Sequence, residues 1–414
     1  MIKQPVFYCL ILLFIFQQAC QPHKNSEEGG AAPITFHSNF EGGSLGEVEE
    51  IAPLHYACAV EGESDWEERN RQASWYYFMV KGAKGKALTI DLTQLVGEYN
   101  YKYGAHAITE HTRPLISYDQ EVWQHLDDRA VSWDEAQKEL RLQIKPKADS
   151  IWIAHQPPYT NQRLKSLLSE YQDHSQLSIS NIGESVEGRD LQLLTITDTD
   201  VPQDKKKVIW LMARQHSWEA GTSWVMEGAF RYLLDSAEEH QLGRAYVFKI
   251  MPMADPDGVA RGGVRFNSHG HDLNRNWDLV KPDEMPEIYA QKTEIVNWLL
   301  SGKSIDLFLT LHNTEAADYI QGPQVETGQK LWQYMVDHSS FKADEGIRKM
   351  PESTTAGKRG RMTVNQALWA EQKVAAYLME LKVEEADKIG RRRNVEEWLT
   401  LGPKIIQAMV SATE

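Results

Sequence analysis

Cysteine is scarce: three residues in 414, at positions 9, 20 and 58. Cys9 lies in an apolar leader and Cys20 closes it, so Cys58 would remain alone and no disulfide could form within the rest of the chain. The candidate metal ligands described below include no thiolate, so a metal there would be held by nitrogen and oxygen. The N-terminal apolar run Val6–Phe16 has eleven residues, too few to span a bilayer. Positive charge is also short: 44 Lys and Arg against 59 Asp and Glu give −15, which argues against a nucleic-acid partner. No internal repeat is visible. What remains is ordinary: 42% hydrophobic and 25% charged residues, in a chain long enough for two domains.

Lys3 followed by the apolar run has the form of a signal peptide, and Gln17-Gln18-Ala19-Cys20 resembles a bacterial lipoprotein cleavage site. The expectation is a signal peptide over 1–19 and an acylated Cys20 that starts a flexible tether over 20–34. That makes the protein an exported lipoprotein, periplasmic or on the cell surface, touching membrane only through its anchor. Ordinary secretion is the alternative.

Beyond the tether, two patterns divide the chain. Over 35–156, runs such as Ser74–Val80, Ala87–Leu92, Leu140–Ile144 and Ser150–Ala154 are separated by turn signals, which predicts a small all-β sandwich. Over 157–414, Thr160 is placed to cap a helix, and strands then alternate with amphipathic segments near 222–240, 284–300, 329–337 and 394–413. That alternation predicts a mixed α/β sheet flanked by helices. Arg391-Arg392-Arg393 reads as a solvated cluster at the last helix start.

Three apolar strands carry chemistry at their carboxyl ends. Val208–Ala213 leads to His216 and Glu219, Ile305–Leu311 to His312, and Val374–Met379 to Glu380. Two imidazoles and a carboxylate are a known catalytic zinc set with a position left for water, and a further carboxylate could take that water's proton. Ligands gather outside the carboxyl ends of strands in open α/β sheets, so distance in sequence is no obstacle. The isolated HxxE pattern is common; its company makes it specific.

That company resembles the zinc carboxypeptidases of the M14 family, and within it the cytosolic-carboxypeptidase branch and its bacterial relatives. Arg214-Gln215-His216-Ser217-Trp218-Glu219 stands for that branch's RQHPGE, Ala254-Asp255-Pro256-Asp257-Gly258-Val259 for LNPDGV, and Asp272-Leu273-Asn274-Arg275-Asn276-Trp277 for DLNRxW. Leu311-His312-Asn313-Thr314 stands for DLHGHS and Tyr377-Leu378-Met379-Glu380 for SYTxE, with Ile182–Asp190 as lead-in. The resemblance implies an M14 catalytic domain after a β-domain, with one Zn2+ per chain on His216, Glu219 and His312. It implies Glu380 as general base, Arg265 at the oxyanion, and Asn274 with Arg275 on the terminal carboxylate of a peptide or protein substrate. Asp272 is expected either to orient a histidine or to close a turn.

Departures bear on rate and preference. Trp218 replaces a glycine, Asp255 an asparagine, and Asn313-Thr314 a Gly-His pair; the capping tyrosine of many members has no clear match, Tyr319 and Tyr377 being present. In the basic loop Gly357–Thr363, Gly360-Arg361 matches the branch's specificity arginine, which would favour acidic C-terminal residues; a plain surface loop is the alternative. Three functions follow: a metallocarboxypeptidase, an amidase on cell-wall peptides, and a catalytically weak peptide-binding member.

Overall fold

Alternating apolar residues in the first half form two five-stranded sheets. One runs in the order Thr35–His37, Tyr77–Lys81, Ser150–Ala154, Leu115–Ser117, Gln124–His125. The other runs Val131–Asp134, Glu139–Ile144, Leu88–Thr93, His55–Ala59, Val48–Ala52. Phe78, Val80, Ile151 and Ile153 of the first share one core with Ile90, Leu92, Leu140 and Leu142 of the second, as in a sandwich. A third, four-stranded sheet (Glu63–Ser64, Arg71–Gln72, Gly97–Tyr99, Lys102–Ala105) was not anticipated. This computed structural model describes residues 33–99, 101–105, 107–235, 240–351 and 359–414. The expected signal peptide, Cys20 and nearly all of the tether lie outside the described residues, as do Gly357 and Lys358.

The second half builds an eight-stranded mixed sheet, ordered Leu177–Glu184, Asp190–Ile196, Tyr246–Met251, Lys207–Ala213, Leu307–Thr314, Ala376–Lys382, Tyr319–Gly322, Ile347–Lys349. Its four central strands are parallel. Their near-continuous apolar sequences follow from burial on both faces. Val208, Trp210 and Met212 pack with Ile288, Ile295 and Trp298 of helix Pro286–Leu300. Ile209, Leu211 and Ala213 point the other way, toward helices Ala220–Asp235 and Val395–Thr413. Those two helices meet backbone to backbone: a Cβ on Gly228 would lie 2.0 Å from Leu399 O, and one on Gly402 2.1 Å from Ala229 N. Helix Val364–Gln372 escaped the sequence reading although Thr363 and Gln366 close a capping box at its start.

The arginine run is corrected. Arg393 is 1% exposed, and its guanidinium reaches Asp318 at 2.8 Å and the Lys382 carbonyl at 2.7 Å. A buried cation this close to a buried carboxylate ties the last helix to the sheet rather than facing solvent.

Residues Ile34–Glu414 form one compact unit, and two contacts explain how its halves are joined. Trp218, beside the predicted ligand Glu219, packs with Trp75, Tyr77, Leu115, Trp123 and Ala154 of the sandwich. Its ring stacks on His155 with centroids 5.9 Å apart. Glu63 crosses the other way: its Oε2 accepts the backbone N–H groups of Val264 (2.9 Å), Arg265 and Phe266 (2.9 Å). Its Oε1 takes Arg261 at 2.7 Å.

Candidate metal centre and active-site cleft

The strand Lys207–Ala213 ends in a turn where Arg214 adopts φ +61°. Its buried guanidinium donates to the Ser217 carbonyl (2.9 and 2.7 Å), the Tyr159 carbonyl and Ser223 Oγ. This fastening fixes the loop that carries His216 and Glu219. His312 and Glu380 sit inside their strands rather than just past them, and they are direct partners in the parallel register of Leu307–Thr314 and Ala376–Lys382. Side chains in register on one sheet share a face, so these two project together.

His216, Glu219 and His312 each offer an atom within 4.8 Å of the others. His216 Nδ1 lies 2.7 Å from Glu219 Oε1, and His312 Nδ1 lies 3.0 Å from Glu219 Oε2. Among the described residues that Oε2 atom is buried and accepts no hydrogen bond despite the approach. Both outer ring nitrogens have an acceptor beside them: Asp272 Oδ1 for His216 Nε2 (3.0 Å) and Gln215 Oε1 for His312 Nε2 (3.2 Å), the latter with the Asn274 amide nitrogen equally near. A proton held at each Nε2 leaves both Nδ1 lone pairs turned toward one point beside an under-used carboxylate oxygen. That donor set fits a divalent cation. When the imidazoles are protonated instead, their charge outweighs burial and holds the Glu219 carboxyl below the usual carboxylate range.

The group opens into a cavity of about 460 Å3 whose walls include Arg265, Asn274, Arg275, Glu380 and, from the sandwich half, Arg71–Ser74 and Tyr99. Arg265 Nε donates to Asp272 Oδ2 at 2.8 Å, so one carboxylate orients both a histidine and an arginine. Asn274 Oδ1 accepts the Val364 N–H at 3.0 Å, while its Nδ2 lies 3.2 Å from His312 Nε2. Arg275 keeps one contact from Nη1 to the Asn274 carbonyl and lines the cavity. Arg361 stands outside this cavity, in an adjoining recess; Asp278 holds its loop by accepting the Gly360 and Met362 N–H groups (2.7 and 2.9 Å).

Among the described residues Glu380 Oε2 is buried without a hydrogen-bond partner, and Tyr319 Oη approaches Oε1 at 3.5 Å. Burial first, and the Glu219 charge second, push the Glu380 carboxyl well above its ordinary range. Of the two tyrosines, Tyr319 faces the cleft, whereas Tyr377 is fully buried against Gly322 and Gly328. Sequence reasoning missed Gln215, which turns His312, and Glu315, a cleft carboxyl that burial pushes up to about 8. Glu315 follows His312 by three residues; nothing in its neighbours marks it.

Known families and solved structures resemble this chain. A family model described as zinc carboxypeptidase matches residues 161–369, and one described as cytosolic carboxypeptidase N-terminal domain matches 36–155. Cytosolic carboxypeptidase 3 of Mus musculus is 25% identical over 76% of this chain and 31% of its own length. Cytosolic carboxypeptidase 6 of Caenorhabditis elegans is 28% identical over 65% of this chain and 60% of its own. The match thus spans only about a third of the mouse relative. Among solved structures, a metallo-carboxypeptidase from Burkholderia cenocepacia superposes with a TM-score of 0.76 at 22% identity, covering 92% of this chain and 99% of that one. One from Pseudomonas aeruginosa, in complex with (2-guanidinoethylmercapto)succinic acid, gives 0.74 at 21% identity, covering 92% and 100%. These structures share the fold. The expectation of an exported lipoprotein is corrected, since these named relatives are cytosolic carboxypeptidases. Among the described residues no helix is long and apolar enough to cross a membrane.

Proposed function

Because the chain belongs to the zinc carboxypeptidase family, we propose that it removes single residues from the C-termini of peptides, acidic ones in preference. The observation that carries this reading is the His216–Glu219–His312 group with Glu380 in register beside it. A zinc ion held by those three residues would polarise the scissile carbonyl and lower the pKa of water toward ~7. Glu380 accepts the proton of the attacking water and delivers it to the departing amine, as general base and then general acid. Its partnerless Oε2 is the atom suited to that exchange. Arg265, steadied by Asp272, faces the oxyanion of the tetrahedral intermediate.

Arg275 and Asn274 take the terminal carboxylate, the guanidinium through paired charge-assisted bonds. Asn274 Oδ1 is committed to Val364, which leaves Nδ2 as its donor. Arg361, on the loop braced by Asp278, favours an acidic terminal side chain. In this scheme residues 35–156 are the sandwich domain and 157–414 the catalytic domain. The test is a mass-spectrometric time course on peptides that differ only in their last residue, with and without a chelator. Stepwise, chelator-sensitive loss of C-terminal residues, fastest for Glu or Asp, is expected. Peptides left intact, or cut internally, would overturn the reading.

A further inference from the structure

Next to the main cleft lies a smaller recess of about 40 Å3 that shares Gln72, Tyr99, Arg265 and Arg275 with it. It is a side branch of the cleft, and its charge is unlike the rest of the protein. Four arginines line it, Arg69, Arg265, Arg275 and Arg361, against two aspartates, Asp65 and Asp272. A positive recess in a chain of net charge −15 focuses its field on an incoming anion. Three of these arginines belong to the catalytic half. The fourth, Arg69, comes from the sandwich half.

Arg69 is held in place before any substrate arrives. Asp65 Oδ1 accepts the N–H groups of Arg69 (2.6 Å) and Asn70 (3.1 Å), and its Oδ2 takes Asn70 Nδ2 at 2.7 Å. The Arg69 guanidinium is braced by Asp65 at 3.5 Å and Glu67 at 3.2 Å. Its carbonyl accepts the Tyr101 N–H at 2.8 Å, tying the turn to the neighbouring hairpin. Yet, among the described residues, Arg69 Nε is buried and has no acceptor. A buried donor without an acceptor is costly, and Arg69 as a whole lines the recess. Across the recess, burial and then the Arg69 charge lower the pKa of Arg361, as expected of two cations facing the same small space.

We infer that Arg69 is a specificity-determining residue, which takes an acidic terminal side chain together with Arg361 and so makes the N-terminal domain part of the substrate pocket. The inference rests on the exopeptidase reading above. A carboxylate between two guanidiniums gains charge-assisted bonds from both and relieves their mutual repulsion; a neutral side chain gains neither.

The experiment compares kcat/KM on two peptides ending in Glu and in Ala, for the full-length wild type, Arg69→Gln and Arg69→Lys. The expected result is a fall in the Glu/Ala ratio of at least about tenfold for Arg69→Gln and an intermediate fall for Arg69→Lys, which keeps the charge but loses the fork. A ratio within about twofold of wild type in both variants would overturn the inference. So would equal losses on the two peptides, which mark a merely structural role. Glutarate gives a readout that needs no turnover: it should raise the thermal midpoint of the wild type and fail to do so for Arg69→Gln. Equal stabilisation of both proteins would refute the role of Arg69. A wild type that binds glutarate but cleaves no peptide would instead sink the exopeptidase reading.

Discussion

Replacing Glu63 by alanine tests whether the sandwich half contributes to the chemistry. Its carboxylate collects three backbone N–H groups at 264–266 and the Arg261 guanidinium, with 19% of the side chain exposed. Hydrogen bonds to a charged group contribute roughly 1.5–3 kcal/mol each, and water admitted at the exposed edge recovers part of that, so a net loss of about 3–5 kcal/mol is expected. Unfolding entropy near 2.1 cal/mol/K per residue over roughly 380 residues gives about 0.8 kcal/mol/K, so the thermal midpoint should fall by about 4–6 °C. The backbone that slackens is that of Arg265. A shift of one ångström at a charge-stabilising group costs on the order of 10²-fold in rate, so kcat should fall by about 10- to 100-fold with a smaller change in KM. Scanning calorimetry and steady-state kinetics on one preparation measure both. A midpoint within about 1 °C of wild type together with unchanged kcat would refute the argument.

Other consequences are as direct. Glu380→Gln should lower kcat by about 10²- to 10⁴-fold while zinc content, measured by elemental mass spectrometry, stays at wild type; undiminished turnover would remove Glu380 from the mechanism. Burial raises the Asp255 carboxyl to about 8, against ~3.9 in the unfolded chain, so the folded state binds the extra proton. Its stability contribution is complete below about pH 4 and is lost as pH rises toward 8. Asp255→Asn should flatten the wild-type decline in thermal midpoint over that window, and parallel curves would contradict it. Trp218→Gly empties the contact with His155 and Trp75 and should cost about 3–5 kcal/mol; protease digestion at the junction should quicken, and an unchanged digestion rate would count against Trp218 as the joining residue.

Much of the site could be read from residue order because it depends on strands. His216, Glu219, His312 and Glu380 each follow or end an apolar run, and strand ends in such sheets converge on one rim. Their supports could not be read. Glu63 meets Arg265 across some two hundred residues, and Asp278 meets Met362 across more than eighty, with no local pattern to mark either carboxylate. Arg393 failed for a related reason: three adjacent arginines suggest solvent, and only the fold brings Asp318 to the third. The third sheet of the N-terminal half was invisible because its strands Glu63–Ser64 and Arg71–Gln72 are two residues long, too short for any period to register. The location inferred from the first twenty residues did not survive comparison with the relatives.

The pairing of His312 with Glu380 also sets what sequence change can reach. Both sit on central strands locked side by side, and moving either by one residue would turn its side chain to the opposite face of the sheet. Insertions and deletions are therefore barred from these two strands and from 265–275, which holds Arg265 and Arg275, but are better borne in segments at the edge of the cleft, such as the turn that carries Arg69 and the loop that carries Arg361. A lineage, or a laboratory selection, that varies these segments can retune which chain ends are accepted while the proton-transfer geometry is inherited intact.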